Sequence, residues 1–120
     1  MKTIGVIGSR RRVSAIDQSA VRRTVIGIYE DGDRFVSGGC PTGGDRFCEE
    51  IARKLGASIT IHHADWLKYG KNAGFRRNDL IAKDADVLIA CVAHDRTGGT
   101  EDTIKKFLRA TDPSKELILV

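Results

Sequence analysis

Short, β-branched apolar runs alternate with amphipathic stretches along the sequence, and this alternation restricts the fold more than any other feature. The predicted strands are residues 3–8, 34–37, 57–62, 86–92 and 116–120, and the predicted helices are residues 15–29, 44–55, 73–83 and 100–110. Such alternation is typical of a parallel sheet covered by helices on both faces. We therefore predict one α/β domain over residues 1–120, a three-layer, Rossmann-like unit. Its sheet is mainly parallel and five-stranded, in the order 3-2-1-4-5.

Two helix ends are marked in the sequence. Ser14 precedes the first helix and is a good N-cap residue, and Gly56 follows the second helix as a natural stop. The longest irregular stretch is predicted at residues 63–72, before the third helix.

The composition and the N-terminus exclude several classes of protein. Hydrophobic residues make up 41% of the 120 residues and charged residues 30%, which is typical of a soluble globular domain. No apolar run approaches the roughly 20 residues that a membrane span requires, and Arg10 interrupts the first run too early for a signal peptide. Cys40, Cys48 and Cys91 lack the C-x-x-C spacing of zinc or redox sites. We expect a cytoplasmic protein with no membrane partner.

The stretch 36–45, Val-Ser-Gly-Gly-Cys-Pro-Thr-Gly-Gly-Asp, passes from an apolar run through a glycine-rich loop into a helix. Its glycines, Gly38, Gly39, Gly43 and Gly44, leave backbone N–H groups uncovered, and the helix N-terminus adds donors and a partial positive charge. This combination suits an anion such as phosphate. The alternative is that the glycines only allow tight packing at a strand-to-helix turn.

Similar loops follow two other predicted strands. Gly8-Ser9-Arg10 follows the first strand, and a polar loop of residues 97–101 that contains Gly98, Gly99 and Thr100 follows the fourth. In an open parallel sheet, ligands bind at the carboxyl ends of the strands, where the winding reverses. We therefore expect all three loops to converge on one crevice that binds a phosphate or nucleotide. No G-x-G-x-x-G and no Walker A lysine is present, so NAD and ATP in their usual modes are not expected, and no cofactor is predicted.

Three further features have both a functional and a structural interpretation. Trp66 lies near several cations and either stacks on a base or covers an edge of the core. Cys40 is either a nucleophile or a small residue that fills space. His62 and His63 are adjacent at a strand end and project to opposite sides, so they make poor joint ligands and no metal site is predicted.

Several short motifs occur in order along the chain. They are Gly8-Ser9-Arg10, Ser37-Gly38-Gly39, Gly44-Asp45-Arg46, Ala64-Asp65-Trp66, Gly70, Ala73-Gly74, Arg77-Asn78 and Gly99-Thr100. Together they resemble the YspA and cpYpsA-related branch of the SLOG superfamily, over nearly the whole chain. The resemblance implies a Rossmann-like fold that binds nucleotides or their derivatives, and pairing as a homodimer.

The same superfamily includes the LOG phosphoribohydrolases and the DNA-processing protein DprA. LOG enzymes cleave the N-glycosidic bond of nucleoside monophosphates with an arginine and with the glutamate of a Pro-Gly-Gly-x-Gly-Thr-x-x-Glu motif. Arg77 lies near the arginine position, but Thr103 occupies the place of the glutamate. The nearby Glu101 is shifted along the helix and is not an equivalent carboxylate, because successive helical positions point about 100° apart.

Asp45 and Glu101 are nevertheless the two carboxylates expected to face the crevice. In the first interpretation, one of the two carboxylates acts as an acid or base while Arg77 holds a phosphate. In the second, both are charges in the first turn of a helix that the helix dipole stabilises. In the third, they bind ribose hydroxyls. Asp45, Arg77 and Glu101 are therefore the candidate catalytic residues.

The first prediction is a sensor or binding domain for a nucleotide or nucleotide-derived molecule. The residues expected to bind the ligand are Gly8, Ser9, Arg10, Gly38, Gly39, Gly43, Gly44, Asp45, Trp66, Arg77, Asn78, Gly98, Gly99 and Thr100. The alternative is base release from a nucleoside monophosphate. DprA-like binding of single-stranded nucleic acid, suggested by the net charge of +4, comes third because the basic residues are few.

Overall fold

A computed structural model describes residues 1–110 and 112–120 of the chain. The elements are β1 (Thr3–Gly8), α1 (Ala15–Ile28), β2 (Arg34–Ser37), α2 (Gly44–Leu55), β3 (Ile59–Ile61), α3 (Trp66–Tyr69), a 3₁₀ turn (Gly70–Asn72), α4 (Ala73–Asp84), β4 (Val87–Cys91), α5 (Gly99–Arg109) and β5 (Glu116–Leu119). All neighbouring strands pair in parallel, in the order β3-β2-β1-β4-β5. The predicted fold class and strand order are confirmed.

The sheet separates two hydrophobic cores. On one face, Ile4 of β1 and Ile89 of β4 pack with Val21 of α1 and Phe47 of α2. On the other face, side chains of β1 and β4 pack against α4 and α5, among them Ile7, Leu88, Ile81, Ile104 and Phe107. Because β1 and β4 are covered on both sides, each is a nearly continuous apolar run. The two central strands therefore hold the carboxyl edge of the sheet in a fixed position.

Both predicted helix ends are confirmed. Ser14 Oγ accepts from Asp17 N at 3.1 Å, and Asp17 Oδ2 accepts from Ser14 N at 3.2 Å, which makes a capping box at the start of α1. Gly56 ends α2 with φ of 66°, a left-handed conformation that glycine adopts without steric cost. Across residues 1–110 and 112–120, none of the helices has the length and apolarity needed to cross a membrane.

The prediction of an irregular segment at residues 63–72 is wrong in part. Asp65 Oδ1 accepts from Lys68 N at 3.1 Å and caps the single-turn helix α3, which continues into a 3₁₀ turn. A helix of four residues is too short to show hydrophobic periodicity, so the sequence pattern does not reveal it. The edge strand β3 is also shorter than predicted, because it pairs with β2 only over Phe35–Ser37.

The start of β1 is anchored by a buried carboxylate. Asp33 is 4% exposed, and its two oxygens accept from Lys2 N at 2.9 Å and from Glu30 N at 2.9 Å. Burial favours the neutral acid, but the hydrogen bonds from Lys2 and Glu30 outweigh it and lower the pKa of Asp33. The ionised carboxylate therefore ties the N-terminal residues to the turn before β2.

Candidate ligand-binding crevice

A crevice of about 320 Å³ lies at the carboxyl ends of β1 and β4, where the strand order reverses. It is lined by Ile7, Gly8, Ser9, Arg10, Arg11, Cys40, Asp45, Arg77, Asn78, Ile81, Thr97, Gly98, Gly99, Thr100 and Thr103. These residues come from the end of β1 and the loop after it, from the loop between β2 and α2 and the first turn of α2, from α4, and from the loop after β4 and the helix α5. Residues of all three predicted loops, or of the helix turns that follow them, therefore border one crevice.

The loop after β1 is held close to the sheet. Ser9 N donates to Cys91 O at 2.9 Å, and Ser9 Oγ accepts from Arg11 N at 3.1 Å. A Cβ atom on Gly8 would lie 3.0 Å from both the Cys91 Cβ and the Gly44 N, so a side chain at position 8 would crowd the start of α2. These contacts place Arg10 and Arg11 on the rim of the crevice.

The N-terminus of α5 is open to the crevice. Gly98, the N-cap residue, has φ of 108° and offers no side chain to cap the helix. The next two residues, Gly99 and Thr100, line the crevice. Apart from the adjacent residues and the local helix backbone, no atom of the described residues lies within 4 Å of the position of a Cβ on Gly98 or Gly99. The backbone N–H groups of a first turn have no acceptor within their own helix and carry a partial positive charge. This end of α5 suits an anion.

The N-terminus of α2, in contrast, is covered by the backbone of β1 and of the loop after it. A Cβ on Gly44 would lie 2.2 Å from the Ile7 carbonyl carbon, and one on Gly43 would lie 2.8 Å from Ser9 O. Gly43 and Gly44 thus let the start of α2 press against the backbone of β1 and its loop. Of the two interpretations of the glycine-rich stretch, tight packing accounts for these glycines. Gly38, Gly39, Gly43 and Gly44 are absent from the crevice lining.

Asp45, in the first turn of α2, organises the glycine-rich loop and also faces the crevice. Its Oδ1 accepts from Ser37 Oγ at 3.1 Å, and its Oδ2 accepts from Cys40 N at 3.0 Å. Burial raises the pKa of Asp45, although these hydrogen bonds and the nearby Arg77 charge oppose the change. The carboxylate therefore has a structural role and a position at the site.

The two α4 residues predicted as a motif line the crevice side by side. Arg77 Nη1 donates weakly to Gly38 O at 3.4 Å, while Arg77 Nε is buried and has no hydrogen-bond partner among the described residues. Asn78 is 6% exposed, and its Nδ2 donates to Asp102 Oδ2 at 3.0 Å and to Gly99 O at 3.4 Å. Arg77 supplies a cation to the crevice, and Asn78 joins α4 to the start of α5.

Besides the four glycines, two further residues expected at the site lie outside the crevice lining. Glu101 accepts from Arg96 Nε and Nη2, both at 2.9 Å, so of the two expected carboxylates only that of Asp45 faces the crevice. Trp66 is 58% exposed on α3 and is also absent from the lining. The rotation of α5 about its axis explains the position of Glu101. Thr103, two residues further on, is 2% exposed and lines the crevice, so Glu101 points away from it.

The histidines after β3 have separate surroundings. His62 Nε2 lies 2.6 Å from Asp84 Oδ2, and His63 packs beside Gly39. Within the described part of the chain, no group of three or more His, Cys, Asp or Glu side chains is placed to hold a metal ion.

Arg11 is a crevice residue that was not singled out from the sequence, where it is one member of an arginine run. Thr97 begins the loop of residues 97–101 that was predicted to border the crevice, although it was not among the residues expected to bind the ligand. Both line the crevice, and Arg11 Nη2 donates to Thr97 Oγ1 at 2.8 Å. The available signal was the position of Arg11, three residues after the last glycine of β1 and on the predicted crevice edge.

The fold and this crevice place the chain in the class of Rossmann-like α/β proteins with a parallel sheet and an open cleft at its carboxyl edge. Among solved structures, the molybdenum cofactor binding protein from the phototrophic bacterium Rippkaea orientalis is similar, with a TM-score of 0.73 and 21% sequence identity. The match covers 98% of this chain and 75% of that one, and at this identity it shows a shared fold. A scan against protein-family models and a search of curated proteins both find no match.

Proposed function

We propose that the crevice binds a nucleotide or a nucleotide-derived small molecule, and that the protein is a sensor or binding domain. One observation carries the proposal: the uncapped start of α5 borders the same crevice as Arg10, Arg11 and Arg77. Arginine and helix N-termini are the groups best suited to bind phosphate. Ile7 and Ile81 add an apolar lining on which the rest of a ligand packs.

We also infer that the chain belongs to the SLOG superfamily. The order of motifs in the sequence supports this, as does the position of Gly8, Arg77, Asn78 and Gly99 around one crevice. The fold is shared with a protein named for binding a cofactor, which supports a binding role by analogy of fold. By the same resemblance we propose a homodimer, which the molar mass from light scattering tests.

Native mass spectrometry of freshly purified protein, followed by thermal unfolding with ligands, tests the binding function. The panel contains nucleoside monophosphates, cyclic nucleotides and ADP-ribose. A ligand at 100 times its Kd adds about 2.7 kcal/mol to the free energy of unfolding, which raises the Tm measurably. Arg77→Met is expected to abolish the rise, and Arg53→Met, an exposed arginine in the last turn of α2, is the matched control. No retained molecule and no rise with any panel member would contradict the proposal.

A second candidate function is release of a base from a nucleoside monophosphate. It is favoured by Asp45, a carboxylate that lines the crevice, has a raised pKa and lies near the Arg77 charge. A group of this kind is suited to act as an acid or base. Against it, Thr103 rather than a carboxylate lines the crevice from α5. Chromatography of nucleoside monophosphates after incubation detects free base, and a full rate in Asp45→Asn would exclude Asp45 as the catalyst.

Binding of single-stranded nucleic acid has no specific structural observation in its favour. Several of the arginines that contribute to the positive charge are engaged within the chain. The ion pairs are Arg11 with Asp95, Arg12 with Asp17 and Arg96 with Glu101. Phosphate-backbone binding would weaken steeply as salt rises, so a titration with a single strand at two salt concentrations distinguishes it from binding in the crevice.

A further inference from the structure

Arg11 lines two neighbouring spaces. On one side it lines the ligand-binding crevice, and on the other it lines a smaller cavity of about 240 Å³ together with Asp95. Its Nη1 and Nη2 donate to the two oxygens of Asp95 at 2.9 and 2.8 Å, and Nη2 also donates to Thr97 Oγ1 at 2.8 Å. Asp95 itself is absent from the crevice lining.

We propose that Arg11 is an anion-binding residue of the crevice and that Asp95 is its internal competitor, which the phosphate of a ligand displaces. The inference rests on the proposed binding function and adds to it a contact that limits the affinity. A carboxylate and a phosphate both bind arginine through two parallel N–H donors, so they compete for the same fork of the guanidinium.

The ion pair between Arg11 and Asp95 is weak enough for a ligand phosphate to replace the carboxylate. The Arg11 side chain is 55% exposed and that of Asp95 is 56% exposed, so water and salt screen their attraction. An arginine without an ion-pair partner binds the ligand directly and increases the affinity. Arg11 must first break its ion pair with Asp95, and this cost lowers the affinity. Asp95 therefore lowers the affinity of the site without touching the ligand.

Asp95→Asn removes the competing charge and preserves the local turn. Asp95 Oδ1 accepts from Thr97 N at 3.2 Å and from Thr97 Oγ1 at 2.7 Å, and the asparagine oxygen can accept the same bonds. Titration calorimetry at low ionic strength with AMP and with inorganic pyrophosphate measures the effect. Asp95→Asn is expected to lower the Kd about two- to fivefold, which is the range of an exposed ion pair.

The test is a double-mutant cycle with Arg11→Met. Arg11→Met should weaken binding. Asp95→Asn should then have no effect in the Arg11→Met background, because the increase in affinity depends on the freed Arg11 side chain. Glu50→Gln, which removes an equal charge from the exposed Arg46–Glu50 pair on α2, should leave the Kd unchanged. The Tm of each variant reports whether it is folded.

The possible results distinguish a failure of the inference from a failure of the proposed binding function. An equal gain from Asp95→Asn in both backgrounds would mean a general charge effect and would overturn the inference. An unchanged Kd in Asp95→Asn would mean that Asp95 does not compete with the ligand, and a higher Kd would mean that Asp95 positions Arg11 for the ligand; either result would also overturn the inference. If pyrophosphate binds and AMP does not, AMP is not the ligand, while the cycle is still decided on pyrophosphate. If neither probe binds to any variant, Arg11 is not an anion-binding residue and the inference is wrong, whereas the binding function is decided separately by the full panel of nucleotides and ADP-ribose.

Discussion

Asn78 on α4 and Asp102 on α5 are joined by a hydrogen bond of 3.0 Å from Nδ2 to Oδ2. The same carboxylate lies 2.8 Å from Lys106 Nζ, one turn further along α5. Asn78 is buried and the Asp102 side chain is 26% exposed, so this partly buried bond holds the start of α5 against α4. The open N-terminal turn of α5, which borders the crevice, is therefore fixed in place from α4.

Replacing Asn78 with alanine should loosen this turn. We expect the free energy of unfolding, measured by urea denaturation, to fall by about 1–3 kcal/mol, since the bond to a charged acceptor is lost in a buried position. Binding of AMP should weaken as well, because the N–H groups of α5 are no longer held in place. Asp79→Ala, at the next position but 62% exposed at its side chain, should change stability by less than about 0.5 kcal/mol. Equal effects of the two variants would contradict this role of Asn78.

Alanine at two glycines should act in opposite directions. At Gly44 the new Cβ would lie 2.2 Å from the Ile7 carbonyl carbon, so α2 must move away from β1. We expect Gly44→Ala to lower the free energy of unfolding by about 3 kcal/mol or more. At Gly27, in α1, no atom of the described residues outside the local helix backbone lies within 4 Å of a new Cβ, and Gly27→Ala should stabilise the protein by about 0.5–1 kcal/mol. Thermal unfolding measures both, and a tolerated Gly44→Ala would contradict the close packing.

Asp33 should contribute to stability in a pH-dependent way. Its pKa in the folded protein is below the usual 3.8, so its contribution is complete above that value and is lost as the pH falls through the lowered folded pKa. We expect Asp33→Asn to lower the free energy of unfolding by about 1–3 kcal/mol at neutral pH. The difference from the wild type should shrink on acidification below pH 3.8. Asp31→Asn, an exposed neighbour, is the control, and a difference that stays constant with pH would refute the prediction.

Much of the scaffold follows from local patterns. The apolar runs of β1 and β4, the capping box at Ser14 and the stop at Gly56 are each encoded within a few residues, and all are present in the structure. The short helix α3 was missed because one turn stabilised by the Asp65 cap carries no periodic signal.

The site was predicted less completely, because the direction of a side chain depends on distant partners. The sequence predicts Glu101 in the crevice, but Arg96 binds it outside the lining. The glycine-rich start of α2 predicts a phosphate site, but β1 fills the space that Gly43 and Gly44 leave. Neither Arg96 nor the close approach of β1 is visible in the local pattern.

The sequence by itself determined the α/β class, the strand order and the edge of the sheet where the loops meet, because periodicity is local and parallel crossovers have one hand. Only the tertiary structure decided which side chains face the crevice. Glu101 and Thr103 are two positions apart on α5, which turns them about 200° from each other, and the packing of α5 on α4 directs Thr103 inward. The contact between Arg11 and Asp95 spans 84 positions and arises only when β1 and β4 lie side by side.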